Sequence, residues 1–171
     1  KLTNDIYLND TTKADWKDTA KEWVAGDVRF SGTLDGNGYT IHGLYITKTH
    51  SLGRYGLFAY IGAANSSSPN SMIKNIKFSN AYVNIAEAVE GAGLVAGQAS
   101  GAPSFEEVYV DETCVMNVPQ GKGVAALIAR GPTGTYTGYT VNIKNCVVLA
   151  QITGGTYVGA LTGTFWRTGE T

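Results

Sequence analysis

The feature that most constrains this chain is that it repeats itself. "YGLFAYIG" from Tyr55, "AGLVAGQA" from Ala92, "AALIARG" from Ala125 and "GALTGTF" from Gly159 each carry a small residue, a leucine and a short apolar run. Their anchoring leucines, Leu57, Leu94, Leu127 and Leu161, are spaced by 37, 33 and 34 residues. A unit of that size cannot bury its apolar face alone, so successive units must stack on one another.

A second set precedes the first: "IHGLYI" from Ile41, "IKNIKF" from Ile73, "FEEVYV" from Phe105 and "IKNCVV" from Ile143, with "TNDIYL" from Thr3 as an imperfect opening copy. Positions one, four and six are apolar, and positions four to six alternate as a strand does, with the Val, Ile, Tyr and Phe that strands favour. Each unit offers up to three short strands separated by Gly, Asn and Ser turns. Stacked units pair each strand with its equivalent about 4.8 Å along an axis, which predicts an all-β, right-handed parallel β-helix of about five rungs. An antiparallel sandwich also has short turn-bounded strands, but it needs no matched repeats. In this alignment Leu44, Ile76, Val108 and Cys146 are equivalents that point inward in consecutive rungs.

Composition excludes several partners. The chain has 171 residues, a formal charge of −1 and only 16% charged residues, so there is no clustered Lys and Arg to meet a nucleic acid. No apolar run approaches the roughly 18 residues of a membrane helix, and the expectation is a protein that is not membrane-embedded. The opening "KLTNDIYLND" lacks signal-peptide architecture. Residues 1–171 read as a single module excised from a larger protein, with flanking domains of the same parent chain as its neighbours. Cys114 and Cys146 have neither CxxC spacing nor nearby histidines, so they read as buried thiols; no metal and no cofactor is expected.

"DGNG", residues 35–38, invites two chemical readings that fail. A calcium loop starting at Asp35 would need an oxygen ligand, Gly and Glu at its fifth, sixth and twelfth positions, where this chain has Tyr39, Thr40 and Ile46. A phosphate cradle would lead into a helix, and this segment leads into a strand. What remains is a tight turn that tolerates positive φ and reverses the chain between "FSGTL" and "YTIHGLYI". "GKGVAA" from Gly121 is a similar decoy, because no acid follows it before Glu170 to hold a ribose.

"FSGTLDGNGYTIHGLYI", "GLFAYIG", "IKNIKFS", "GLVAG" and "IKNC" together resemble the GLUG-type repeats of right-handed β-helix segments in bacterial surface and secreted proteins. More distantly they resemble the pectin-lyase-like superfold. The resemblance covers nearly the whole chain and implies a secreted or cell-surface location, scaffold and attachment roles, and no shared catalytic set. The chain departs from the pattern where a second glycine is expected, with Tyr60 in the first repeat and Ala129 in the third.

Stacking the copies lines up their outward positions. The fifth gives Tyr7, Tyr45, Lys77, Tyr109 and Val147; the second gives Asn4, His42, Lys74, Glu106 and Lys144. A column of tyrosines flanked by His42 and charged groups is a candidate glycan platform, or alternatively a ladder that stabilises the sheet. The third position gives Asp5, Gly43, Asn75, Glu107 and Asn145, where Asn75 and Asn145 read as residues that turn the backbone at a strand edge by bonding locally. "TTKADWKDTAKEWVAG" from Thr11 places Trp16, Ala20, Trp23 and Val24 at helical spacing, which predicts a short capping helix, or a loop, over the open end. Tyr136 and Tyr139, in the polar loop from Pro132 to Thr140, are further binding candidates.

Catalysis is not favoured, since a glycosidase needs two carboxylates about 5–9.5 Å apart and Asp35, Glu106, Glu107 and Asp111 form no evident pair. The expectation is a non-catalytic binding or adhesion module recognising a glycan or a cell-surface protein. A structural spacer and a fragment of a polysaccharide-degrading β-helix enzyme are the alternatives.

Overall fold

The computed structural model describes residues 1–63, 70–131 and 140–164. Every strand pairing among them is parallel, and the strands stack as a β-solenoid. One sheet contains Ile6–Tyr7, Thr40–His42, Met72–Ser79, Ser104–Val110 and Asn142–Lys144 in that order. Thr33–Asp35 also pairs with Met72–Ser79, and Val147–Val148 with Ser104–Val110. The second sheet runs from Tyr45–Ile46 through Tyr82–Asn84 and Val115–Val118 to Gln151–Gly154. The third runs from Arg54–Tyr55 through Gly91–Gly93 and Gly123–Ala125 to Tyr157–Gly159; the fourth runs from Phe58–Gly62 through Ala96–Ser100 and Ile128–Arg130 to Thr162–Thr164. One passage across all four sheets is a turn, and the last three sheets have four strands each. There are thus about four turns rather than five, because the opening copy supplies only Ile6–Tyr7.

The core follows from the stacking. Ile73 and Phe105 pair in register and are buried, between Leu34 on one side and Ile143 on the other. Beside them Ile41, Phe78, Val110 and Val148 form a second inward column, and Ile46, Val83, Met116 and Ile152 a third on the next sheet. Residues in the inner turns are almost wholly excluded from water, while their equivalents in the last turn stay half-exposed. A rung buries its apolar side chains only where it has a neighbour on both sides.

The spacing of positions one, four and six has a backbone cause. Asn75, Glu107 and Asn145 adopt left-handed φ values of 50°, 55° and 52°, bulging each strand so that two residues, not one, separate the inward Ile73 from the inward Ile76. The same device recurs at the corner between the first two sheets, where Gly43 (φ 72°) and Asn80 (φ 51°) separate Ile41 from Leu44 and Phe78 from Ala81. "IHGLYI" is therefore the corner segment, and its partner is "FSNAYV", with Ile41 opposite Phe78 and Tyr45 opposite Tyr82. The place opposite Ile73 is taken by Leu34. The predicted alignment of Leu44 with Ile76 and Val108 is corrected accordingly: Ile76 and Val108 are neighbours, whereas Leu44, also buried, lies one strand segment further on. Likewise Phe58, Ala96, Ile128 and Thr162 are paired, so Val95, not Leu94, stands in line with Leu57, Leu127 and Leu161.

"DGNG" is a turn, but not a reversal. The Tyr39 N–H donates to the Gly36 carbonyl at 2.9 Å, and Asn37 and Gly38 between them have φ of 53° and 85°, the signature of a type I′ turn. Thr33–Asp35 before it and Thr40–His42 after it both run parallel to Met72–Ser79. The turn is a four-residue excursion where the next rung has only Asn75 and Ile76. Gly36 must be glycine here, since a Cβ would lie 2.5 Å from the Ile76 Cβ and 2.6 Å from its Cα.

The helical stripe is also corrected. Only Trp16–Thr19 forms a 3-10 turn, and the chain is extended again at Ala20 (φ −63°, ψ 140°). The sheet edge outcompetes the helix for backbone hydrogen bonds: Trp23 N–H donates to Tyr45 O at 2.7 Å, and Phe30 bridges Ile61. Asn9 anchors this strap, its side-chain amide donating to Gly43 O and its oxygen accepting from Lys21 N–H. The first turn is covered by irregular chain carrying a buried Trp16 and a part-buried Trp23, while Val24 is left exposed. Among the described residues no helix is long and apolar enough to cross a membrane.

Both thiols are free. Burial pushes Cys114 up to about 12 and Cys146 upward as well; Cys114 is fully buried, Cys146 only partly. Iodoacetamide at pH 8 should therefore label native protein at Cys146 first, with Cys114 reacting only on unfolding. Peptide mapping that found Cys114 modified first would contradict this packing.

Candidate functional site

The outward face of the first sheet is built by register. Asp35, Lys74, Glu106 and Lys144 form one column of alternating charge. Lys144 Nζ lies 2.7 Å from Glu106 Oε1, and that hydrogen bond holds Glu106 below and Lys144 above their ordinary values. Lys74 Nζ is 3.9 Å from Asp35 Oδ2. The Asp35 carboxylate serves the turn first: its pKa is lowered chiefly by the Asn37 backbone N–H, which donates to it at 2.9 Å.

The next outward column is Thr40, Lys77, Tyr109 and Val147. Between the two columns the left-handed residues bend the strands and leave a groove of about 410 Å³, lined by Asn37, Asn75, Lys77, Glu107 and Tyr109 among others. Tyr109 is 36% exposed, and Lys77 and Glu107 are exposed. The groove thus offers an aromatic face, an ammonium, a carboxylate and two amides. Asn75 Nδ2 is directed to Asp35 Oδ1 at 3.3 Å, while the Glu107 carboxylate makes no hydrogen bond or ion pair with the described residues, Lys144 being only an electrostatic neighbour.

The structure brings Lys77 and Tyr109 together but separates the other predicted tyrosines. Tyr7 lies beside His42 at the N-terminal edge, their rings stacked at 4.6 Å and 8°, and His42 Nε2 is 3.7 Å from Asp5 Oδ2. Tyr45 belongs to the second sheet, stacked on Tyr82 at 5.7 Å with Trp16 edge-on at 5.9 Å. Lys17 Nζ covers the Tyr82 ring at 4.1 Å. One column of Tyr7, Tyr45 and Tyr109 does not exist, because the bend and the corner share one sequence pattern and only Tyr109 lies just beyond the bend. Tyr136 and Tyr139 lie outside the described residues.

A second hollow, of about 570 Å³, lies beside Tyr7, Asn9, Asp10, Thr12 and Trp16. Three of its polar side chains, Asn9, Asp10 and Thr12, are already engaged. Asn9 holds the strap, and Asp10 accepts from Thr12 Oγ1 at 2.6 Å. The sheet groove, whose Glu107 is uncommitted, is the better candidate site. The repeat pattern places Glu107 at position three among turn residues and does not single it out; the available signal is a carboxylate at a position occupied by Asn in two other copies.

No protein-family model, curated protein or solved structure matches the chain. Among the described residues no three His, Cys, Asp or Glu side chains are grouped so as to hold a metal ion.

Proposed function

We propose that this module is a non-catalytic glycan-recognition domain of a secreted or cell-surface bacterial protein, of the kind suggested by its resemblance to GLUG-type repeats. The observation that carries the reading is the groove beside Tyr109, where an outward ring stands next to Lys77, Glu107 and Asn37 on a parallel sheet. A flat ring receives the apolar face of a sugar, and charged and amide groups around it bond the hydroxyls. A recognition role is favoured over hydrolysis by how the nearby carboxylates are used. Asp35 is held by its turn, Glu106 by Lys144 and Asp111 by Thr113, so these three carboxylates have structural partners, whereas most glycoside cleavage uses two carboxylates flanking one bond.

A glycan array on the intact protein, followed by calorimetry on the strongest hit, tests the reading. Tyr109→Ala is expected to weaken binding by about 2 kcal/mol, roughly thirtyfold, as loss of an aromatic anchor does. Stability should change by about 1 kcal/mol or less, the scale of a cross-strand pair, and Tyr7→Ala should leave affinity unchanged. An array with no hit would favour the spacer, whose function is the stacked ladder itself.

A further inference from the structure

Among the described residues only five other than glycine have a left-handed backbone: Asn37, Asn75, Asn80, Asn145 and Glu107. Asparagine tolerates that conformation because its short side chain bonds locally, whereas other L-residues meet a steric penalty. Asn75 and Asn145 occupy the same place in the rungs on either side of Glu107, so the fold's own preference at this bend is asparagine. Glutamate there goes against local stability, and strained residues of this kind collect at functional sites.

What glutamate adds over asparagine is a charge on a longer stem. Glu107 is exposed and lines the groove together with Tyr109 and Lys77. An ionised carboxylate accepts hydrogen bonds on both oxygens and donates none, which suits two adjacent hydroxyls of one pyranose ring and is stronger than amide acceptance. The charges of Lys77 and Glu107 cancel, so the groove has no net positive charge to hold an acidic sugar, and Glu107 would face a uronate carboxylate with like charge.

We infer that Glu107 is the specificity-determining residue of the groove, accepting from two neighbouring hydroxyls of a neutral sugar stacked on Tyr109 and rejecting acidic ones. This rests on the glycan-binding reading above. Its test uses neutral oligosaccharides (mannan, galactan and glucan tetramers) and a polygalacturonate tetramer as probes, against the full chain and two variants. The wild type binds at least one neutral probe and not the uronate. Glu107→Asn raises the melting temperature by about 2–4 °C, because strain is relieved, and weakens neutral-sugar binding about tenfold or more. Glu107→Gln, which keeps the strain and removes the charge, loses the same affinity without the gain in melting temperature.

Unchanged affinity in both variants, a lower melting temperature for Glu107→Asn, or preferential binding of the uronate overturns the inference. If Tyr109→Ala still weakens binding by roughly thirtyfold in those cases, the glycan reading survives without it. Absence of any binding by the wild type removes both.

Discussion

Phe105→Ala is expected to destabilise the module by about 3–5 kcal/mol, measured by urea unfolding. Phe105 is 1% exposed, sits in an inner turn and pairs with Ile73 before it and Ile143 after it. Truncation leaves a cavity that two flanking rungs cannot both collapse into, so the loss combines transfer and cavity costs. The contrast that makes this a test of the solenoid is Ile143→Ala, one rung on, where the side chain is only half-buried. It should cost less than half as much. Equal losses at the two positions would mean that the last turn is covered as fully as the inner ones, contrary to this packing.

Gly62→Ala should cost about 2–5 kcal/mol for a different reason, again read by equilibrium unfolding. Gly62 has φ of 94°, a conformation that penalises any Cβ by roughly 1–2 kcal/mol. It also pairs with Ser100 in the next turn, and a Cβ would run into the Ser100 carbonyl oxygen and come within 2.9 Å of its carbon. Backbone cannot rotate away as a side chain does, so overpacking adds about 1–3 kcal/mol. Gly38→Ala is the control: its φ is 85°, but nothing lies within 4 Å of the added carbon. It should show the conformational penalty alone. If Gly62→Ala is no worse than Gly38→Ala, the close approach between turns is not as described.

The charge ladder of Asp35, Lys74, Glu106 and Lys144 stabilises the sheet on the face that also carries the groove. A parallel stack places identical positions about 4.8 Å apart, so like charges in one column would repel, and alternation removes the conflict while fixing register. The adjoining column does not need that use of charge. Tyr109 and Lys77 therefore take no part in that ladder and face outward, with Glu107 beside them at the bend.

The amino-acid sequence by itself determined the architecture. Matched apolar positions at a step of 32–38 residues can be satisfied only by stacking, and the inward side chains Ile73, Ile76, Val108 and Phe105 could be named from spacing alone. It also marked Asn75 and Asn145 as backbone-turning residues, and both have a left-handed φ, Asn75 within the strand Met72–Ser79 and Asn145 between Asn142–Lys144 and Val147–Val148. Only the tertiary structure decided which segment pairs with which. The apolar-x-(Asn or Gly)-apolar pattern serves both the mid-sheet bend and the corner, so local pattern cannot tell "IHGLYI" from "IKNIKF", whereas the insertion of Leu34 opposite Ile73 does. The same was true of the Trp16 to Val24 segment, whose helical spacing yields to unpaired sheet-edge carbonyls nearby. Outward columns inherit every such register choice. Tyr7, Tyr45 and Tyr109 share a local pattern yet stand on different strands, because position along a solenoid is set by hydrogen bonding between turns and not by resemblance within them.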